Sequence, residues 1–155
     1  MLQRIQSIYL LFASLVIFAL FLFPLAHNVY YAGMPATIKV TGVFLDANLK
    51  QVHMQTFTGL IIGTVVAGIL PLILIFLYKN RKQQMMLCYV YIFVIIGYSY
   101  WMAETVKSVT GGFTMTTNNF GIGALLSSIS IVLMIFAAKA IQRDEKLVKS
   151  ADRLR

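Results

Sequence analysis

Four long apolar runs alternate with short polar stretches along the chain. Residues 5–23 form the first, with Gln6 and Ser7 as polar residues near its start and positions 8–23 nearly unbroken. A helix needs about 20 apolar residues to cross the hydrocarbon core of a bilayer, so this run predicts a span. Its length exceeds the apolar part of a signal peptide and no A-x-A site follows, so an uncleaved span is expected. Pro24 ends it, and Tyr30 and Tyr31 suit an outer interface. The same reasoning predicts spans over residues 57–78, 85–103 and 120–138.

The connections differ in character. Residues 32–56 make the largest loop, in which Ile38, Val40 and Phe44 alternate with Lys39 and Thr41. With turn chemistry at Asp46-Ala47-Asn48 and a return over residues 49–56, this predicts a small two-stranded hairpin. An isolated hairpin is marginal in water, so it must lean on helix ends, the other outer loop or a partner. Residues 105–119 are rich in Ser, Thr, Gly and Asn, which predicts irregular chain, with Asn118 or Asn119 capping the next helix. After position 138, Ile141, Leu147, Val148, Ala151 and Leu154 recur at helical spacing among Lys139, Arg143, Lys146, Lys149 and Arg153. The fourth helix is therefore expected to continue as an amphipathic tail, with Glu145 four residues before Lys149 adding helix support; its apolar stripe suits an anionic lipid surface and a docking protein partner equally. The expected fold is an all-α membrane protein. It is a four-transmembrane-helix bundle over residues 1–138, with a small β-hairpin in the first outer loop and a cytoplasmic C-terminal amphipathic helix over residues 139–155.

Composition agrees with a membrane class. Of 155 residues, 59% are hydrophobic and 12% charged, where a soluble domain carries roughly a quarter charged residues. The net charge of +8 lies beside the apolar runs, so anionic lipid headgroups are the expected partner and nucleic acid is not. Charge also sets orientation. Lys79, Arg81 and Lys82 crowd the short turn between the second and third runs, and positive residues in short loops stay cytoplasmic. Alternation then puts Arg4 and the tail cations (Lys139, Arg143, Lys146, Lys149, Arg153, Arg155) inside, and only Lys39, Lys50 and Lys107 outside. Both chain ends are expected in the cytoplasm.

Helix-packing signals come next. Gly59, Gly63 and Ala67 recur every four residues, which makes a flat stripe for close approach of another helix, in this chain's own bundle or in a dimer. Pro71 lacks an N–H, so the carbonyl of Ala67 loses its helical donor and a kink is expected. Gly123 with Ser127, and Ala124 with Ser128, are small pairs one turn apart that suit a tight face. Glu104, beyond the aromatic cluster Tyr98, Tyr100 and Trp101, reads as a rim carboxylate, with Lys107 three residues on as a possible ion-pair partner. A proton or cation role for Glu104 is the competing reading.

Catalytic chemistry has little to work with. The lone Cys88 excludes an intrachain disulfide and any C-x-x-C site. His27 and His53 lie in the outer region, where two membrane-haem ligands would not. With Asp46 they form only a scattered candidate metal set. No phosphate-binding loop, nucleotide fingerprint or triad spacing occurs. No cofactor, metal or catalytic residue is expected.

The two ends carry a resemblance. Met-Leu-Gln-Arg-Ile-Gln-Ser-Ile-Tyr-Leu-Leu at the start, and Ala-Ile-Gln-Arg-Asp-Glu-Lys-Leu-Val-Lys-Ser-Ala-Asp-Arg-Leu-Arg at the close, resemble a family of small four-span bacterial membrane proteins known only as a domain of unknown function. The resemblance implies a bacterial inner membrane and brings no activity. The span order with a strand-bearing first outer loop is similar in shape to the claudin architecture, without the Trp and paired Cys of that loop. Three functional classes follow. The favoured one is a non-catalytic subunit or assembly factor of a larger inner-membrane complex, since the spans carry no central ionisable residue. The others are a small transporter or channel acting as an oligomer, and a membrane enzyme or lipid-handling protein using outer-face residues.

Overall fold

The computed structural model describes residues 3–31, 33–47, 50–78, 80–111 and 119–152. Helix α1 (Gln3–Phe18) runs into a 3₁₀ turn, Ala19–Phe21. Four strands follow: β1 (Ala26–Tyr31), β2 (Met34–Lys39), β3 (Gly42–Ala47) and β4 (Lys50–Thr56). Helices α2 (Thr58–Phe76), α3 (Arg81–Val109) and α4 (Gly123–Asp152) complete the chain.

This overturns the expected all-α bundle with a small hairpin. The region between α1 and α2 is a four-stranded antiparallel sheet in the order β1-β2-β3-β4; β1 and the part of β2 before Ile38 lie where no strand was expected. Pro35 is tolerated in β2 because pairing with β3 begins one residue later, at Ala36↔Leu45, so the missing N–H falls at a strand end. Gly33, at φ +81°, supplies the left-handed residue for the turn into β2. The second hairpin turns at Val40-Thr41, not at the Asp46-Ala47-Asn48 turn alone, and a Cβ at Gly42 would lie 2.0 Å from the carbonyl oxygen of Gln55. Asn48 lies outside the described residues.

The number of long spans is also corrected. Helices α2 and α3, and α4 over Gly123–Val148, are long and apolar enough to cross a membrane, which points to a membrane protein. The first apolar helix, Ile5–Phe21, falls short of that length. It is nonetheless the centre of the bundle, packing along both α2 and α4. Leu10, Ala13, Ser14 and Ile17 face inward and are buried, while Ile8, Leu11, Phe12 and Leu15 stay exposed. A helix that is apolar on its outer face too suits lipid better than water.

Helix α3 does not stop at Ala103. It continues through Glu104 and Lys107 to Val109, so the start of the expected irregular loop is helix. Helix α4 runs unbroken past position 138, and Ala138 and Ile141 are fully packed.

Helices α1 and α4 are antiparallel and matched along their length. The side chains of Gln6 and Asp144 are hydrogen-bonded at one end. The amide of Gly123 donates to the carbonyl of Pro24 at the other, 2.9 Å away. The α2–α3 turn shares the first end, where Arg81 Nη1 donates to the carbonyl of Asp144. The sheet occupies the second end. There Leu25 donates to Ile38 (2.8 Å), and Gly121 donates to Leu25 (2.9 Å). Val29, Ala36, Ile38, Val40 and Val43 are buried on the sheet's inner side, whereas β4 is exposed from Val52 to Thr56. Asn119, expected as a helix cap, instead donates to the carbonyl of Asn28 at 2.8 Å, which ties β1 to the start of α4. Asn118 lies outside the described residues.

The seam between sheet and bundle should be intolerant of side chains. A Cβ at Gly121 would lie 2.1 Å from the carbonyl oxygen of Pro24, while one at Gly97 on α3 meets nothing within 4 Å. Gly121→Ala should lose about 1–3 kcal/mol or more to overpacking, and Gly97→Ala should be neutral or gain up to about 1 kcal/mol of helix propensity. Thermal unfolding of the two variants in detergent checks this, and equal midpoints would refute the seam.

Candidate functional site

Helices α2 and α3 are neighbours that touch far less than α1 touches either of its partners. The gap between them is an apolar groove of about 460 Å³, lined by Gly59, Gly63, Ala67, Val94, Gly97, Tyr98 and Trp101. The small-residue stripe forms one wall. Built Cβ atoms at Gly59 and Gly63 would lie 3.1 Å from the Trp101 ring and 2.8 Å from the Tyr98 ring. Those two rings meet edge to face, with centroids 6.3 Å apart. The stripe thus lets two aromatic rings press against α2 between the helix backbones. Ile62, Val66, Val94 and Trp101 remain exposed around it.

The polar groups beneath the groove are tied to backbone carbonyls. Tyr91 Oη donates to the carbonyl of Ala67 at 3.0 Å, the very carbonyl that Pro71 leaves without a helical donor. Thr64 Oγ1 donates to Leu60 at 2.7 Å and lies 2.5 Å from Tyr98 Oη. On the far side of α2, Ser14 Oγ donates to Gly68 at 2.6 Å, and the Phe18 ring lies where a Cβ at Gly68 would stand. Gly68, outside the four-residue stripe, is therefore the close approach between α2 and α1. Ser130 Oγ ties α4 to α1 through the carbonyl of Ala13.

The second candidate pair on α4 serves the sheet seam. Gly123 meets the backbone of Pro24. Ser127 is buried, with its hydroxyl toward the carbonyl of Ala124. Ser127 also lines a cavity of about 410 Å³ at the sheet end, together with Leu25, Met102, Val106, Lys107 and Phe120. Lys107 stands there as its cation. Glu104 is exposed, and among the described residues no ion pair joins it to Lys107.

At the opposite end, three polar side chains that sequence reasoning passed over are buried: Gln6, Gln84 and Asp144. Asp144 sits three residues after Ile141 and seven after Ala137, both buried, a spacing that places it on the same stripe. Gln6 is its partner. Gln84 Nε2 donates to the carbonyl of Leu74 at 2.8 Å. Around this knot the expected surface cations divide. Arg81 is half-buried, and Lys82, Arg143 and Lys146 are exposed. Lys149 lies in α4, while Lys79 and Arg153 lie outside the described residues. Leu147 and Val148 are about half exposed beyond the bundle.

His53 packs edge to face on Phe44, 4.9 Å between centroids, and Lys39 Nζ lies 5.4 Å from the same ring. Among the described residues, no three His, Cys, Asp or Glu side chains come together as a metal site.

The sequence profile of a family described as a domain of unknown function (DUF4293) matches residues 2–154. No curated protein matches the chain.

The Tyr91 bond makes a closed test. Tyr91→Phe should lower stability by about 1 kcal/mol, the scale of a buried hydrogen bond between membrane helices. Pro71→Ala restores an N–H to the Ala67 carbonyl, so Tyr91→Phe should lose less in that background. A double-mutant cycle of detergent unfolding checks the coupling, and additive losses would refute it.

Proposed function

The chain therefore belongs to this family of unknown function, and on that premise we propose that it is a non-catalytic subunit or assembly factor of a larger bacterial inner-membrane complex. The groove between α2 and α3 carries this reading. It is apolar, open along one side, and bare at Gly97, where a Cβ would meet nothing within 4 Å, which is the kind of surface that lets a neighbour's transmembrane helix come close. The hydroxyls within the bundle support the same reading. Ser14, Thr64, Tyr91, Tyr98, Ser99 and Ser130 each meet a carbonyl of the bundle, so they are committed to packing and not to a solute path.

In this reading the end that holds Gln6, Arg81 and Asp144 faces the cytoplasm, where Lys79, Arg81, Lys82, Arg143, Lys146, Lys149 and Arg153 meet anionic headgroups, each contributing roughly 1 kcal/mol near the surface. The sheet faces outward. Because α1 and α4 run side by side in opposite directions, the Gln3 end of α1 and the Asp152 end of α4 share the cytoplasmic side.

Two measurements test this. Reporters inserted at Gln83 or fused after Arg155 should read cytoplasmic, and those near Asn48 and Thr116 external; an external signal from either of the first two overturns the orientation. Purification in mild detergent from native expression should bring along at least one larger, different chain. Gly97→Leu, which extends into the groove from a position where a Cβ meets nothing within 4 Å, should release that chain and leave the thermal midpoint within a few degrees. A lone protein that moves a solute when reconstituted in liposomes would replace this reading with a transporter.

A further inference from the structure

The cytoplasm-facing end of the bundle holds another cavity, about 640 Å³, between the start of α1 and the α2–α3 turn. Its wall is divided. Ile8, Ile75 and Phe76 make an apolar side, and Tyr78, Arg81 and Gln84 a polar one. Ile8 and Phe76 are themselves exposed on the outer face of their helices, at 48% and 79%, so the apolar side is continuous with the surface offered to lipid chains.

Two observations on the polar side point to a ligand. Gln84 is 2% exposed, its Nε2 is committed to the carbonyl of Leu74, and its Oε1 is buried with no hydrogen-bond partner. Turning the amide over would break the existing bond, so the unmet need is for a donor. Buried acceptors in native proteins are seldom left so. Arg81 is the second. One of its N–H groups reaches the carbonyl of Asp144, which holds the guanidinium at the cavity while leaving other donors of its fork. It stands in the first turn of α3, where the helix dipole disfavours a cation and favours an anion beside it.

We propose that this cavity is a binding site for one phospholipid of the cytoplasmic leaflet. The phosphate lies on Arg81, a headgroup N–H or O–H donates to Gln84 Oε1, and the upper acyl chain lies along Ile8, Ile75 and Phe76. A cation, an unmet acceptor and an apolar wall in one cavity match an amphiphile that carries phosphate, donor and chain together. A free phosphate would use only the first. The site rests on the membrane placement proposed above, and it adds one bound lipid of defined headgroup to the diffuse charge attraction of the basic end.

The test uses the full chain, purified in mild detergent, stripped of lipid and offered phosphatidylethanolamine, phosphatidylglycerol or phosphatidylcholine, with retention read by native mass spectrometry. The first two carry a headgroup donor and should be retained at one per chain. Phosphatidylcholine, which has the same phosphate and no donor, should bind at least about tenfold more weakly. Gln84→Met should abolish that preference. Arg81→Gln should weaken retention of phosphatidylethanolamine and phosphatidylglycerol about tenfold, and Lys82→Gln, on the exposed side of the same turn, should not. Ile8→Trp, which fills the apolar side from an exposed position, should also lower retention and serves if Arg81→Gln fails to fold. Equal retention of phosphatidylcholine, an equal loss in Lys82→Gln, or displacement of the lipid by inorganic phosphate or by glycerophosphoethanolamine would each overturn the proposal. A chain recovered in the soluble fraction would refute the membrane reading. A membrane-bound chain that retains no lipid would refute this site alone.

Discussion

The structure depends on one constraint: inside an apolar layer no polar group can be left without a partner. Pro71 shows how the chain meets it. The ring removes a donor from α2, and Tyr91 on α3 returns one to the same carbonyl. Ser14 on α1 and Ser130 on α4 reach across to carbonyls of their neighbours. The hydroxyls are thus the directional contacts of the bundle, and they fix which helix faces which. The apolar side chains could pack in many registers, and these bonds select one. The same constraint explains Gly121 and Gly123. At the sheet end the backbone itself must be satisfied, and only residues without side chains let α4 start against Pro24 and Leu25.

Much of the helical content was legible, because long apolar runs broken by charged turns leave few alternatives. The sheet was legible only in part. Residues 38–56 alternate well enough to show strands, but β1 carries His27 and Asn28 together, β2 carries Pro35, and a bulge interrupts β1 between Ala26 and Val29. Such irregularities erase the two-residue period while the ladder persists. The end of α3 was misplaced because Glu104 and Lys107 look like a membrane boundary, and a boundary in polarity need not be a boundary in backbone. Asp144 and Gln84 went unnoticed for the converse reason. They are polar residues on buried stripes, and a pattern search for apolar spacing passes over them. The groove was unreadable, since the Gly59, Gly63 and Ala67 spacing predicts close approach but not that Tyr98 and Trp101 would occupy it and hold α3 off.

These features support the proposed role, that of a protein working by contact. Ser14, Tyr91 and Ser130 tie neighbouring helices together, the sheet is carried at one end on a backbone seam, and the open groove is apolar and bare at Gly97. In the proposed orientation the basic end faces the cytoplasm, and the buried Gln6, Gln84 and Asp144 lie at that end.

Site-specific photo-crosslinking in intact cells tests that account most directly. A crosslinking residue placed at Gly97, in the groove, should trap one discrete larger chain. The same residue at Ile129, exposed on α4, should trap lipid or nothing. Lipid alone at both positions, or the same set of proteins at both, would contradict a groove built for a specific partner helix.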